Sequence, residues 1–218
     1  MSAGNLVKVW DPVVRIGHWL LAALFALAYI TGERGSEFHA YAGYALIGIV
    51  AFRVVWGFTG TRHARFADFL HGPRTTLAYL RSFAAGRPLH YLGHNPAGGW
   101  MIVLLLAMLV MSTWTGLETY GAQGKGPLAV GATAEPAAVQ LVARAIAPAY
   151  ADDGGRRKVK RRRSPAERFW KELHEGFVNA TVLLVLLHIA GAIVSSIVHR
   201  ENLIKAMITG YKSPAPRE

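Results

Sequence analysis

Four stretches of about twenty mostly apolar residues dominate this chain, at roughly 13–31, 40–58, 98–117 and 177–198. Crossing about 30 Å of hydrocarbon takes about 20 residues at the helical rise. In lipid a helix satisfies its own backbone polar groups, so each stretch reads as a membrane-spanning helix. The expected fold class is all-α, an integral membrane bundle of four helices. The first link, Gly32 to His39, is short, which forces the helices it joins to lie antiparallel and adjacent. The first stretch reads as a span and not as a cleaved leader, because Arg15, His18 and Trp19 interrupt what should be an unbroken apolar run.

The chain carries 24 Lys and Arg against 13 Asp and Glu, for a net charge of +11, yet only 17% of its residues are charged. A soluble nucleic-acid binder would account for the sign but not for the apolar blocks, so nucleic acid is not an expected partner; the lipid bilayer is. Basic residues orient membrane proteins, with the excess in the cytoplasm. With the N-terminus inside, twelve lie on each side, but seven of the outer twelve form one run, Arg156 to Arg163, in a long loop. Long loops weigh little in this rule. Discounting the run leaves twelve against five and places both termini in the cytoplasm of a bacterial inner membrane.

With no cysteine, disulfides, iron–sulfur clusters, thiolate zinc sites and covalently attached haem are excluded. Any metal centre must use His, Met or oxygen ligands. Four His lie in or beside the spans: His18, His39, His174 and His188. Intramembrane His is costly and is retained for function with a partner on another helix. With helix one running outward and helices two and four running back inward, His39 and His174 share the outer depth, and His18 and His188 the inner. His174 and His188 are 14 residues apart, nearly four turns, so they project from almost one face about 21 Å apart. Reversing the whole protein leaves both pairs together.

Two pairs of neutral imidazoles are what two six-coordinate haem irons require, and haem is a planar apolar ligand that a helix bundle can hold. Bare zinc fits worse, because each pair offers only two ligands. Gly17, Gly43, Gly176 and Gly191 lie beside the four His, where a missing side chain admits a porphyrin or a neighbouring helix. Arg53, 14 residues after His39, falls at the depth of the inner pair and needs an anion, which haem propionates would supply. Arg15, one turn before His18, is a second candidate, or an ordinary membrane anchor.

Arg15-Ile16-Gly17-His18-Trp19 opens helix one; His39, Gly43 and Arg53-Val54-Val55-Trp56-Gly57 mark helix two. Gly93-His94-Asn95-Pro96-Ala97-Gly98-Gly99 precedes helix three, and His174-Glu175 and His188 lie in helix four. In this order and spacing the set resembles the prokaryotic cytochrome b561 family, which includes the b-type cytochrome subunits of nickel-iron hydrogenases. The resemblance covers nearly the whole chain except an insertion from about Ala132 to Arg163. It implies two b-type haems with His18, His39, His174 and His188 as axial ligands, and none from helix three. The Gly93–Gly99 motif would cap the inner haem or join a quinone site, or simply start a helix. His63, His71, His90 and His199 read as solvated surface, and His94 as a secondary participant.

The insertion, 132–163, contains an alanine-rich segment and the basic run, and reads as a flexible loop. Facing outward, the run would suit an acidic redox partner such as a c-type cytochrome; facing inward, anionic lipid. The expected function is a di-haem membrane cytochrome passing electrons between quinone and an extracytoplasmic redox protein. It is an electron carrier with no catalytic residue of its own, whether alone or within a quinone oxidoreductase. The alternatives are a membrane-anchor subunit of a hydrogenase or dehydrogenase, and a haem-free proton-coupled transporter.

Overall fold

The structure is a computed structural model that describes residues 6–32, 36–86, 89–129 and 164–212. It divides into two compact units, one formed by Met1–Thr113 with Phe177–Glu218 and the other by Trp114–Gly176. The helices are α1 (Pro12–Gly32), α2 (Glu37–Thr59), α3 (Phe66–Phe69), α4 (Pro73–Ala84), α5 (Pro96–Ala122), α6 (Pro165–Val198) and α7 (Leu203–Thr209). Four of these, α1, α2, α5 and α6, are long and apolar enough to cross a membrane, the number expected. The Ala132–Arg163 insertion with its basic run lies outside the described residues.

Three of the long helices start on the same device, a short polar residue followed by proline. Asp11, Asn95 and Ser164 each accept the backbone N–H three residues on, from Val14 at 2.8 Å, Gly98 at 2.7 Å and Glu167 at 3.1 Å. Proline at the first helical position loses no hydrogen bond there, so cap and proline together set the start. The cap explains why α6 begins twelve residues before its apolar run. Residues 165–176 are polar, but a capped helix needs no lipid to form. Asn95-Pro96 in the glycine motif is thereby a helix start.

In the larger unit, α1 and α2 pack through Ala28, Ala42 and Leu46, with Leu21, Leu24 and Phe25 against them. Large apolar side chains such as Ile30, Phe58 and Ile197 remain exposed, as a lipid-facing surface requires. Ser112 on α5 meets Thr181 on α6, hydroxyl to hydroxyl, at 3.2 Å. Beyond the spans, the link from α2 to α5 carries α3 and α4, which a search for apolar runs passes over. The α3 segment is held by close approach: a Cβ on Gly57 would overlap the Phe66 ring, and one on Gly99 would lie 2.5 Å from the Phe69 carbonyl oxygen.

A two-stranded antiparallel sheet joins β1 (Val7–Lys8) to β2 (Tyr211–Lys212). Gly210, at φ +90°, terminates α7, and its carbonyl accepts the Val9 and Trp10 amides at 2.8 and 3.1 Å. An added Cβ there would meet the Trp10 carbonyl oxygen at 2.8 Å, so only glycine fits. Residues 7 and 212 thus lie side by side, which an even number of spans permits.

Candidate functional site

The structure brings together His18 and His188, two histidines expected from sequence to share one depth. His18 on α1 and His188 on α6 face each other with ring centroids 6.3 Å apart and planes inclined by 55°. An imidazole nitrogen lies about 1 Å from its ring centre and binds a transition metal at about 2.0 Å, so two rings on opposite sides of one metal have centres about 6 Å apart. The observed spacing fits that arrangement. His18 Nδ1 is buried with no hydrogen-bond partner among the described residues. A Cβ added at Gly17 or Gly191 would meet nothing within 4 Å.

Both candidate arginines are half-buried. Arg53 Nη1 and Arg15 Nε are buried without a partner among the described residues. The Arg53 guanidinium lies 5.6 Å from the Phe66 ring centre, and Arg15 Nη2 donates to the Ile208 carbonyl, tying α1 to α7. Unmatched guanidinium nitrogens fit the carboxylates of a haem better than they fit an empty apolar bundle. Asp11 does not satisfy them: it accepts from Thr61, the Val14 amide and Trp56. Burial alone would raise the Asp11 carboxyl, but these bonds outweigh it and hold the carboxyl below its ordinary range.

His39 lies in the first turn of α2, with Nδ1 2.8 Å from the Ala28 carbonyl oxygen. Donation there leaves the lone pair on Nε2, the usual ligand arrangement of a histidine anchored from behind. His174, in the smaller unit, has Nδ1 3.3 Å from the Thr115 hydroxyl. Gly116 allows this approach, since a Cβ there would be 3.1 Å from the His174 ring. Open space also surrounds Gly43 and Gly176.

A second cluster was read differently from sequence. His63, His71, His90 and His199 are half-buried and not solvated surface. His63, His71 and His94 line one cavity of about 160 Å³ together with Asp68, Phe69 and Tyr91. His94 lies between Trp10 and Phe69, ring centres 4.4 and 5.0 Å away, with Nδ1 unpartnered among the described residues. Burial, then the positive charges of Arg53 and Lys212, pushes its pKa down to about 3. His90 Nε2 lies 2.9 Å from Glu201 Oε1, and Lys212 Nζ lies 3.0 Å from Oε2 and 3.2 Å from the Tyr91 carbonyl oxygen. Partners this remote in the chain leave no local pattern. The available signal was the aromatic content of the α2–α5 link, Phe66, Phe69, Tyr79 and Tyr91, which implies packing.

Residues 9–210 match the model of the family described as prokaryotic cytochrome b561. The chain is 23% identical to a protein of Cupriavidus necator named "Probable Ni/Fe-hydrogenase B-type cytochrome subunit", covering 98% of this chain and 91% of that one. It is 29% identical to a protein of the same name from Rhizobium leguminosarum bv. viciae, over 55% of this chain and 62% of the relative. No solved structure matches. With four spans, an imidazole pair at metal-bridging distance and a match across nearly its whole length, the chain belongs to the prokaryotic cytochrome b561 family of b-type membrane cytochromes.

Proposed function

We infer that this protein binds two b-type haems and carries single electrons across the bacterial inner membrane, between a quinone pool and an extracytoplasmic redox enzyme, with both termini cytoplasmic. The observation that carries this reading is the 6.3 Å separation of His18 and His188. These two hold the inner haem, and His39 with His174 hold the outer one. A haem b between two imidazoles supplies a one-electron couple with no open coordination position. The hydrogen bond behind His39, from Nδ1 to the Ala28 carbonyl, fixes its tautomer and orientation, and the Thr115 hydroxyl orients His174. Arg53, with Arg15, offers buried cationic donors to the propionates of the inner group. The apolar span surfaces exclude water from the path.

The relatives named as hydrogenase subunits favour a nickel-iron hydrogenase as the redox enzyme. The basic run Arg156–Arg163 favours a second reading, an acidic soluble carrier such as a c-type cytochrome. A haem-free transporter is no longer supported, given the family.

Haem content per chain tests the reading. The purified full chain should carry about two b-type haems by pyridine haemochrome assay, as four ligands for two six-coordinate irons imply. His18→Ala and His188→Ala should each leave one. Unchanged content in both variants would refute the pairing.

A further inference from the structure

The end of α6 is built unlike an ordinary helix terminus. The Arg200 amide bonds the Ile197 carbonyl and the Glu201 amide bonds the Ser196 carbonyl, a paired closure that places Arg200 in the left-handed region at φ +51°. Glycine is the residue that takes this position without strain. Here it is an arginine, exposed and without an ion-pair partner among the described residues. Glu201, next in sequence, cannot neutralise it, because His90 and Lys212 engage both of its carboxylate oxygens.

Arg200 stands at the rim of an open groove of about 410 Å³ between α6 and α7. Ile193, Ile197 and Ile204 line the groove, with Ile197 70% and Ile204 53% exposed. Asn202 lies beside Arg200; its side-chain oxygen accepts the Lys205 amide, which leaves its NH2 as a donor. Ser196 has no such capacity, since its hydroxyl donates to Ala192 and accepts from Leu203. The groove therefore joins a cation and an amide donor to an apolar wall continuous with a membrane-crossing helix.

We propose that this groove seats one anionic phospholipid, with its phosphodiester on Arg200 and Asn202 and an acyl chain along Ile193, Ile197 and Ile204. Charge selects the occupant: a zwitterionic lipid brings its own cation and gains less from Arg200, and a free phosphate leaves the isoleucines uncovered. An arginine retained where glycine would relieve the backbone is consistent with a ligand for its guanidinium.

The test follows thermal unfolding of the haem-loaded full chain in non-ionic detergent, titrated with phosphatidylglycerol, phosphatidylcholine of the same acyl chains, or glycerol phosphate. Phosphatidylglycerol should raise the midpoint, and the other two should not. Arg200→Gly should keep or raise the lipid-free midpoint while binding phosphatidylglycerol about fivefold more weakly, the factor of one basic side chain at an anionic lipid surface. Arg200→Lys should retain most of the binding. An equal response to phosphatidylcholine would mean a plain apolar annulus, an equal response to glycerol phosphate a free-anion site, and undiminished binding by Arg200→Gly a lipid held elsewhere. Each of these outcomes, or no response to phosphatidylglycerol, overturns the proposal.

Discussion

Replacing Glu201 with glutamine should loosen the closure between the two ends of the chain. The Glu201 side chain is 10% exposed and that of Lys212 5%. The carboxylate oxygens lie 2.9 Å from His90 Nε2 and 3.0 Å from Lys212 Nζ. In Glu201→Gln the Lys212 ammonium stays buried without its counter-charge, with only neutral acceptors left to it, the glutamine oxygen and the Tyr91 carbonyl at 3.2 Å. Stranding one partner of a buried ion pair costs about 3–5 kcal/mol, or at least two orders of magnitude in an opening equilibrium. Hydrogen exchange by mass spectrometry on peptides covering residues 6–10 and 89–95 would read this directly. Protection there should fall about a hundredfold or more, while α2 is unchanged. The double variant Glu201→Gln/Lys212→Met leaves no buried charge and should recover most of the loss. Acid should mimic the single variant. Burial raises the Glu201 carboxyl, but hydrogen bonds from His90 and Lys212 outweigh that and hold it below its ordinary value of 4.5. Its stabilisation is present above that value and disappears as pH falls through the lower folded one. A single variant that changes protection less than about threefold, or a double variant as open as the single, would refute the argument.

Two further expectations concern stability. His94 titrates near 3 when folded, against 6.5 in an unstructured chain. Between those values only the unfolded form binds the proton, so His94 subtracts about 1.4 kcal/mol per pH unit as pH falls below 6.5. The stability of His94→Gln should vary less steeply over that range, as denaturation at pH 4–6.5 would show. Gly57→Ala drives a methyl into the Phe66 ring and should cost about 1–3 kcal/mol by thermal unfolding, with haem content retained.

What could be read without coordinates follows from the range over which each signal acts. Spans declare themselves because about twenty consecutive residues must be mostly apolar, and the candidate ligand histidines stand out against that background. Helix periodicity then converts position along the chain into depth, so His18 and His188 could be matched before being seen at 6.3 Å. Apolar runs mark lipid contact, not helix ends, which is why α6 starts well before its run. The sequence carried that start in Ser164-Pro165 and Glu167, a capping signature hydropathy does not weigh. His90, Glu201 and Lys212 were out of reach altogether: nothing in a charged residue near a helix end says whether water or a distant cation will face it. The same blindness made His63 and His71 look solvated.

The pairing of β1 with β2 also sets a schedule. Val7 and Lys212 are partners across the sheet, yet about two hundred residues separate their emergence from the ribosome. At about 5–20 residues per second that is about 10–40 s, during which the first strand and the caps around Trp10 wait without their mate. The four spans therefore emerge, and can enter the membrane, before the sheet can form. Closure at the chain ends can come only after every intervening helix has been synthesised. A chain halted between Val198 and Gly210 would carry all four spans but lack β2, leaving β1 without its partner strand.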